Sequence, residues 1–132
     1  MQEPIKLIPM NSFVLPAYLD WMEANSFTPH IIVDSKVKDT VVPMEYVNDD
    51  GFITLNVRTT AVAKFHIDQD ILSFSARFSG VETDIYIPVS AIKGVIAKEN
   101  GLAIPMPEME ASDADVVETK PKRKRPILTV SK

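Results

Sequence analysis

The chain has 132 residues, of which 45% are apolar, with a formal charge of -4 and no cysteine. That length holds one domain with a modest core and a tail but hardly two domains, and the missing cysteines exclude a disulfide framework and a thiolate metal site. The opening "MQEPIKLIPMNSF" lacks the apolar stretch and cleavage site of a signal peptide, and no apolar run approaches the roughly 18 to 20 residues that span a bilayer, so a soluble cytoplasmic protein without a membrane partner is expected.

The first predicted element is an amphipathic helix over "NSFVLPAYLDWMEANSF", residues 11 to 27. Val14, Leu15, Tyr18, Leu19 and Met22 recur at three- and four-residue spacing, and Trp21 stands one heptad after Val14. Asn11 or Ser12 is expected to cap the start, while Pro16 deletes a helical bond and predicts a start a few residues later. Asn25, Ser26 and the pair Thr28-Pro29 end the helix, because a residue before proline avoids the helical region.

From there the period becomes two. "HIIVD" (30 to 34) reads as a strand, and "VVPMEYV" (41 to 47) with "FITLNV" (52 to 57) reads as a hairpin around "NDDG". "AKFHI" (63 to 67) and "ILSFSARF" (71 to 78) form a second hairpin around "DQD", with Leu72, Phe74, Ala76 and Phe78 on one face and Ser73, Ser75 and Arg77 on the other. "TDIYI" (83 to 87) follows Ser79-Gly80. A turn or short helix begins at Pro88-Val89-Ser90, and "GVIAK" (94 to 98) closes the set before Asn100-Gly101. One helix followed by short strands and tight turns predicts a mainly β domain of α+β class, bent into a small barrel or two sheets.

Beyond Leu102 the chain turns proline-rich and acidic, without sustained periodicity, so a disordered linker is expected. As flexible coil it would span about 25 to 30 Å. Charge is segregated along the chain. Residues 1 to 102 carry eight bases and thirteen acids, residues 103 to 119 five acids and no base, and residues 120 to 132 six bases and no acid. An acidic folded part argues against phosphate-driven nucleic-acid binding, which needs a basic face.

Catalytic chemistry requires convergent titratable groups. His30 and His66 lie on different predicted strands without the spacing of a metal pair, so neither a metal nor any other cofactor is expected. Ser35, Asp34 and His30 could be drawn as a triad, but no G-x-S-x-G elbow is present. Asp49-Asp50 and Asp68/Asp70 occupy predicted turns, where acids serve turn chemistry. A peptide-binding module fares better than an enzyme, because an exposed sheet edge can accept an extended segment. Pro43 places "VVPMEY" at an edge or bulge, and Met44 with Tyr46 offers an adaptable apolar surface, although pattern alone favours ordinary core for both.

The motifs "LDWMEANSFTPHIIVD", "VPMEY", "ITLNV", "FSARFSGV", "AKENG" and the terminal "RPILTVSK" occur here in order. Over residues 12 to 101 and 125 to 132 the chain resembles the bacterial stringent starvation protein B family. That resemblance implies an adaptor for the protease ClpXP, binding the ssrA tag of stalled translation products and delivering them to the ClpX unfoldase. It implies an Sm-like domain over residues 1 to 102 that forms a homodimer, a flexible linker over 103 to 124, and a peptide at 125 to 132 that docks on the zinc-binding domain of ClpX. Carried onto this sequence, the tag groove takes Val42, Met44 and Tyr46 on one side and Phe74, Ala76 and Phe78 on the other. Asn56 lies nearby and Arg77 is available for an acidic group. Docking falls to Arg125, Pro126, Ile127, Leu128, Val130 and Lys132. Val14, Tyr18, Trp21 and Met22 are divided between core and dimer contact. The alternative reading is a small Sm-like RNA-binding protein acting through its basic tail.

Overall fold

A computed structural model describes residues 7 to 107, and its folded unit runs from Ile8 to Pro107. The docking residues Arg125, Pro126, Ile127, Leu128, Val130 and Lys132 and most of the expected linker lie outside the described residues. Among the described residues, no helix is long and apolar enough to cross a membrane.

Helix α1 spans Asn11–Ala24. It runs straight through Pro16, so the later start expected from that proline does not occur, and the N-cap position is Met10, without a side-chain cap. Asn11 and Ser12 are instead buried and turned to long-range partners. The Asn11 amide donates to the Pro107 carbonyl at 2.9 Å, and the Ser12 hydroxyl donates to the Gln69 carbonyl. At the other end Phe27 N–H bonds the Met22 carbonyl, Ser26 N–H bonds the Glu23 carbonyl, and Ser26 has φ of 65°. These two bonds and the left-handed residue make a Schellman motif, which satisfies the last carbonyls and reverses the chain into the first strand.

That strand, β1 (Pro29–Asp34), pairs antiparallel with β2 (Phe52–Asn56) and with β6 (Ile92–Ala97). A three-residue strand, β7 (Ala103–Pro105), adds to β6 and completes a sheet of order β2-β1-β6-β7. The expected linker at 103 to 124 therefore begins too early, because its first residues are paired. Gly94 makes this possible, since a Cβ there would sit 3.1 Å from the Ile104 carbonyl oxygen. The second sheet is a meander of β3 (Val62–Asp68), β4 (Ile71–Phe78) and β5 (Val81–Pro88). The two antiparallel sheets and one N-terminal helix match the expected α+β class.

The predicted first hairpin is wrong. Residues 41 to 47 form no strand: Val41 makes one bridge to Tyr86, and Met44–Tyr46 coil into a 3-10 turn. Strand β2 pairs with β1 instead. The cause is Pro43, which has no N–H to give a ladder and whose carbonyl accepts the Tyr46 N–H at 3.0 Å.

The core forms where the helix stripe Leu15, Leu19 and Met22 meets the inner faces of both sheets, including Ile31, Val33, Leu72, Phe74 and Ile85. Met22 is fully buried and belongs to this core, so its expected share in a dimer contact is not supported by its position. Val14 and Tyr18 are half-buried against the same core. Trp21 is 47% exposed and Phe13 68% exposed, and with exposed Ala17 they make a second apolar stripe at four-residue spacing.

Candidate peptide-binding trough

Along β4 the inner face passes from buried to open. Leu72 and Phe74 are buried, whereas Ala76 and Phe78 are half-buried. The turn that follows sets the register. Ser79 and Gly80 have φ of 54° and 81°, the pair of positive values that a two-residue type I′ hairpin requires. Phe78 then faces Val81 and Ala76 faces Thr83, while on the other flank Ala76 faces Val62. Residues directly opposite in a sheet share a face. The small Ala76 thus sits between Val62 and Thr83 in one row, with Phe78 and Val81 in the next, forming a shallow trough.

One wall comes from the 3-10 turn. The Tyr46 ring lies 5.5 Å from the Phe78 ring, centroid to centroid, and the Tyr46 and Ser79 hydroxyls are 2.6 Å apart. That pair of contacts pins Tyr46 across the β4–β5 turn, and Met44 beside it is 63% exposed. Of the residues expected to line a groove, Met44, Tyr46, Ala76 and Phe78 belong to this region. Val42 and Phe74 do not: at 8% and 3% exposure they are core beneath it. The pleat puts Arg77 on the opposite face of β4, where its cross-strand neighbour is Glu82. Asn56 belongs to the other sheet and accepts the Arg58 backbone N–H, with no hydrogen bond to the trough among the described residues.

Sequence reading missed Val62, Val81, Thr83 and Ser79. The signal was present, because counting outward from the two-residue turn Ser79-Gly80 pairs Phe78 with Val81 and Ala76 with Thr83.

The groups considered for catalysis have structural partners. Ser35 donates its hydroxyl to the Gly51 carbonyl at 2.7 Å. Asp34 accepts from the Lys36 ammonium at 2.9 Å and from the Lys36 backbone N–H, and these bonds hold its carboxyl below the ordinary range. Lys36 also caps the Asp50 carbonyl and lies 4.5 Å over the Phe52 ring. His30 Nδ1 is 3.3 Å from the Thr28 carbonyl oxygen in the first sheet, whereas His66 is exposed in the second. Among the described residues no group of three or more metal-ligating side chains exists. A further polar clasp joins the strand β1 entry to the β6–β7 turn. Thr28 donates its hydroxyl and its N–H to the Glu99 carboxylate at 2.6 and 2.7 Å, which lowers the carboxyl pKa.

The chain is similar to known proteins over most of its length. The family model described as "Stringent starvation protein B" matches residues 9–128. A "Stringent starvation protein B homolog" of Haemophilus influenzae is 42% identical over 96 residues, 73% of this chain and 63% of the relative. The aligned part therefore covers less than two thirds of that relative.

Proposed function

As the chain belongs to the stringent starvation protein B family, we propose that it is an adaptor that binds the ssrA tag in the trough and tethers tagged proteins to ClpXP. The observation that carries this reading is the trough itself. Met44, Tyr46, Ala76 and Phe78 present partly exposed apolar surface on a rigid sheet end, a combination suited to an extended peptide. The family match also runs past the acidic stretch to residue 128, in keeping with a tail that serves the same activity.

In this scheme the folded unit, Sm-like in kind, holds the cargo. Residues 103 to 124 act as a tether from the end of β7 onward, and Arg125, Pro126, Ile127, Leu128, Val130 and Lys132 dock on the zinc-binding domain of ClpX. The exposed stripe Phe13, Ala17 and Trp21 supplies the contact of a homodimer, and each dimer brings two tails to one unfoldase. Tethering raises the local concentration of tag to about the millimolar range without tighter tag binding. Every step is a binding equilibrium, and ATP is consumed by the partner.

The test is degradation of an ssrA-tagged substrate by ClpXP with the full chain and with residues 121 to 132 removed. Stimulation is expected to disappear with tag binding retained. If truncation also abolishes tag binding, cargo and machine are not held by separate parts, and the scheme fails.

A further inference from the structure

The outer edge of β5 is only partly used. Val41 and Tyr86 exchange both backbone hydrogen bonds, at 2.7 and 3.1 Å, so the Tyr86 N–H and C=O point away from β4. Backbone groups alternate along a strand, and those of Asp84 and Glu82 therefore point the same way. The two-residue turn requires this parity as well, because it makes Phe78 and Val81 the bonded pair that closes the hairpin.

Continuing the Val41 register would set Pro43 opposite Asp84 and Glu45 opposite Glu82. It does not continue. Pro43 has no N–H, its carbonyl is taken by Tyr46, and the chain coils away. The outward backbone groups of Asp84 and Glu82 are left without a ladder partner among the described residues, and both residues are exposed.

The other edges are shielded by means that sheets use against unwanted pairing. A bulge between Ala63 and His66, with Lys64 at φ of 58°, breaks the edge of β3. Asn48 bonds the Phe52 carbonyl with its N–H and accepts the Phe52 N–H on its side chain, occupying one end of β2. Strand β7 has three residues and ends in Pro105. The open part of β5 is also the part flanked by Thr83, Val81, Met44 and Tyr46, so it is continuous with the trough.

We infer that the edge of β5 at Asp84 and Glu82 takes the bound peptide as an added strand, its backbone filling the ladder positions that Pro43 gives up. This rests on the peptide-adaptor reading and specifies how the peptide is held. Main-chain bonds fix its register, and only its alternate side chains enter the trough beside Thr83, Ala76 and Phe78.

The test uses the full chain and fluorescein-labelled synthetic ssrA-tag peptides carrying one N-methyl group each, with affinity read by anisotropy. Methylation at alternate residues of a short stretch is expected to weaken binding about tenfold or more, with much smaller losses at the residues between. The Asp84 and Glu82 amides are expected to exchange hydrogen more slowly when unmodified peptide saturates the protein. Binding that tolerates every N-methyl group, or unchanged exchange at both amides under saturation, overturns the inference while leaving the adaptor reading intact. Failure of the unmodified peptide to bind overturns the adaptor reading, and the inference with it.

Discussion

Replacing Met22 and Trp21 by alanine, one at a time, separates core from dimer surface at adjacent positions on α1. Met22 is fully buried between the helix and the sheets, whereas Trp21 leaves 47% of its surface in water. Truncating a buried methionine to alanine removes its transfer free energy and leaves a cavity, at a cost of about 2 to 5 kcal/mol. A small domain unfolds in urea with a slope of about 1 to 3 kcal/mol per molar, so the midpoint should fall by roughly 1 to 3 M. That fall is expected to be the same at every protein concentration, since the lost contacts lie within one chain. Trp21→Ala removes a ring whose outer half has no partner within the chain. Its main expected effect is on self-association, read by sedimentation, and on the concentration dependence of the midpoint. Urea curves at several protein concentrations check both. If Met22→Ala costs less than about 1 kcal/mol while abolishing self-association, the assignment of Met22 to the core is refuted.

Lys64 is held in the left-handed region by the bulge in β3, a conformation that strains a residue with a Cβ by about 1 to 2 kcal/mol. Glycine relieves this strain but costs unfolded-chain entropy, so Lys64→Gly should stabilise by about 0.5 to 1 kcal/mol in urea melts; a clear loss of stability would show that the bulge stores no such strain. Acid should destabilise the fold in a defined direction. Asp34 and Glu99 have carboxyl pKa values lowered in the folded state, so the unfolded state binds more protons near their ordinary values of about 4, and their contribution is complete above that range and lost as pH falls through the folded values. Thermal midpoints between pH 6 and 3 should drop less in the double variant Asp34→Asn, Glu99→Gln than in the parent; equal drops would refute a role for these two groups.

Most of the fold was readable because it rests on local signals. The stripe Leu15, Leu19 and Met22 has helical spacing, and β4 alternates because one of its faces lies on the core. The misreadings share a cause: long-range bonds outweighed local preference. Asn11 and Ser12 have the chemistry of caps, but their side chains reach Pro107 and Gln69, which are distant in sequence. Pro16 costs one helical bond and stays because the buried stripe around it holds the helix together. Residues 41 to 47 alternate like a strand, yet nothing in that alternation says that β1 offers its edge to β2. Ala103–Pro105 looked like linker since three residues carry no period, and only Gly94 opposite makes room for them.

The site was half legible for a related reason. Alternation along β4 correctly grouped Phe74, Ala76 and Phe78 on one face, but the depth of each depends on what covers that face. The helix and first sheet bury Phe74 and stop short of Ala76. Val42 has the same parity as Met44 and Tyr46 in a flat strand; the 3-10 turn rotates the latter two outward and leaves Val42 in the core. Pro43 is therefore the residue on which the geometry turns. Had the segment continued along β5, Tyr46 would not lie across Phe78, and the backbone of Asp84 and Glu82 would be paired within the chain. A proline that reads in sequence as a defect in a strand is, in the structure, what keeps both the apolar trough and the sheet edge beside it available to a second chain.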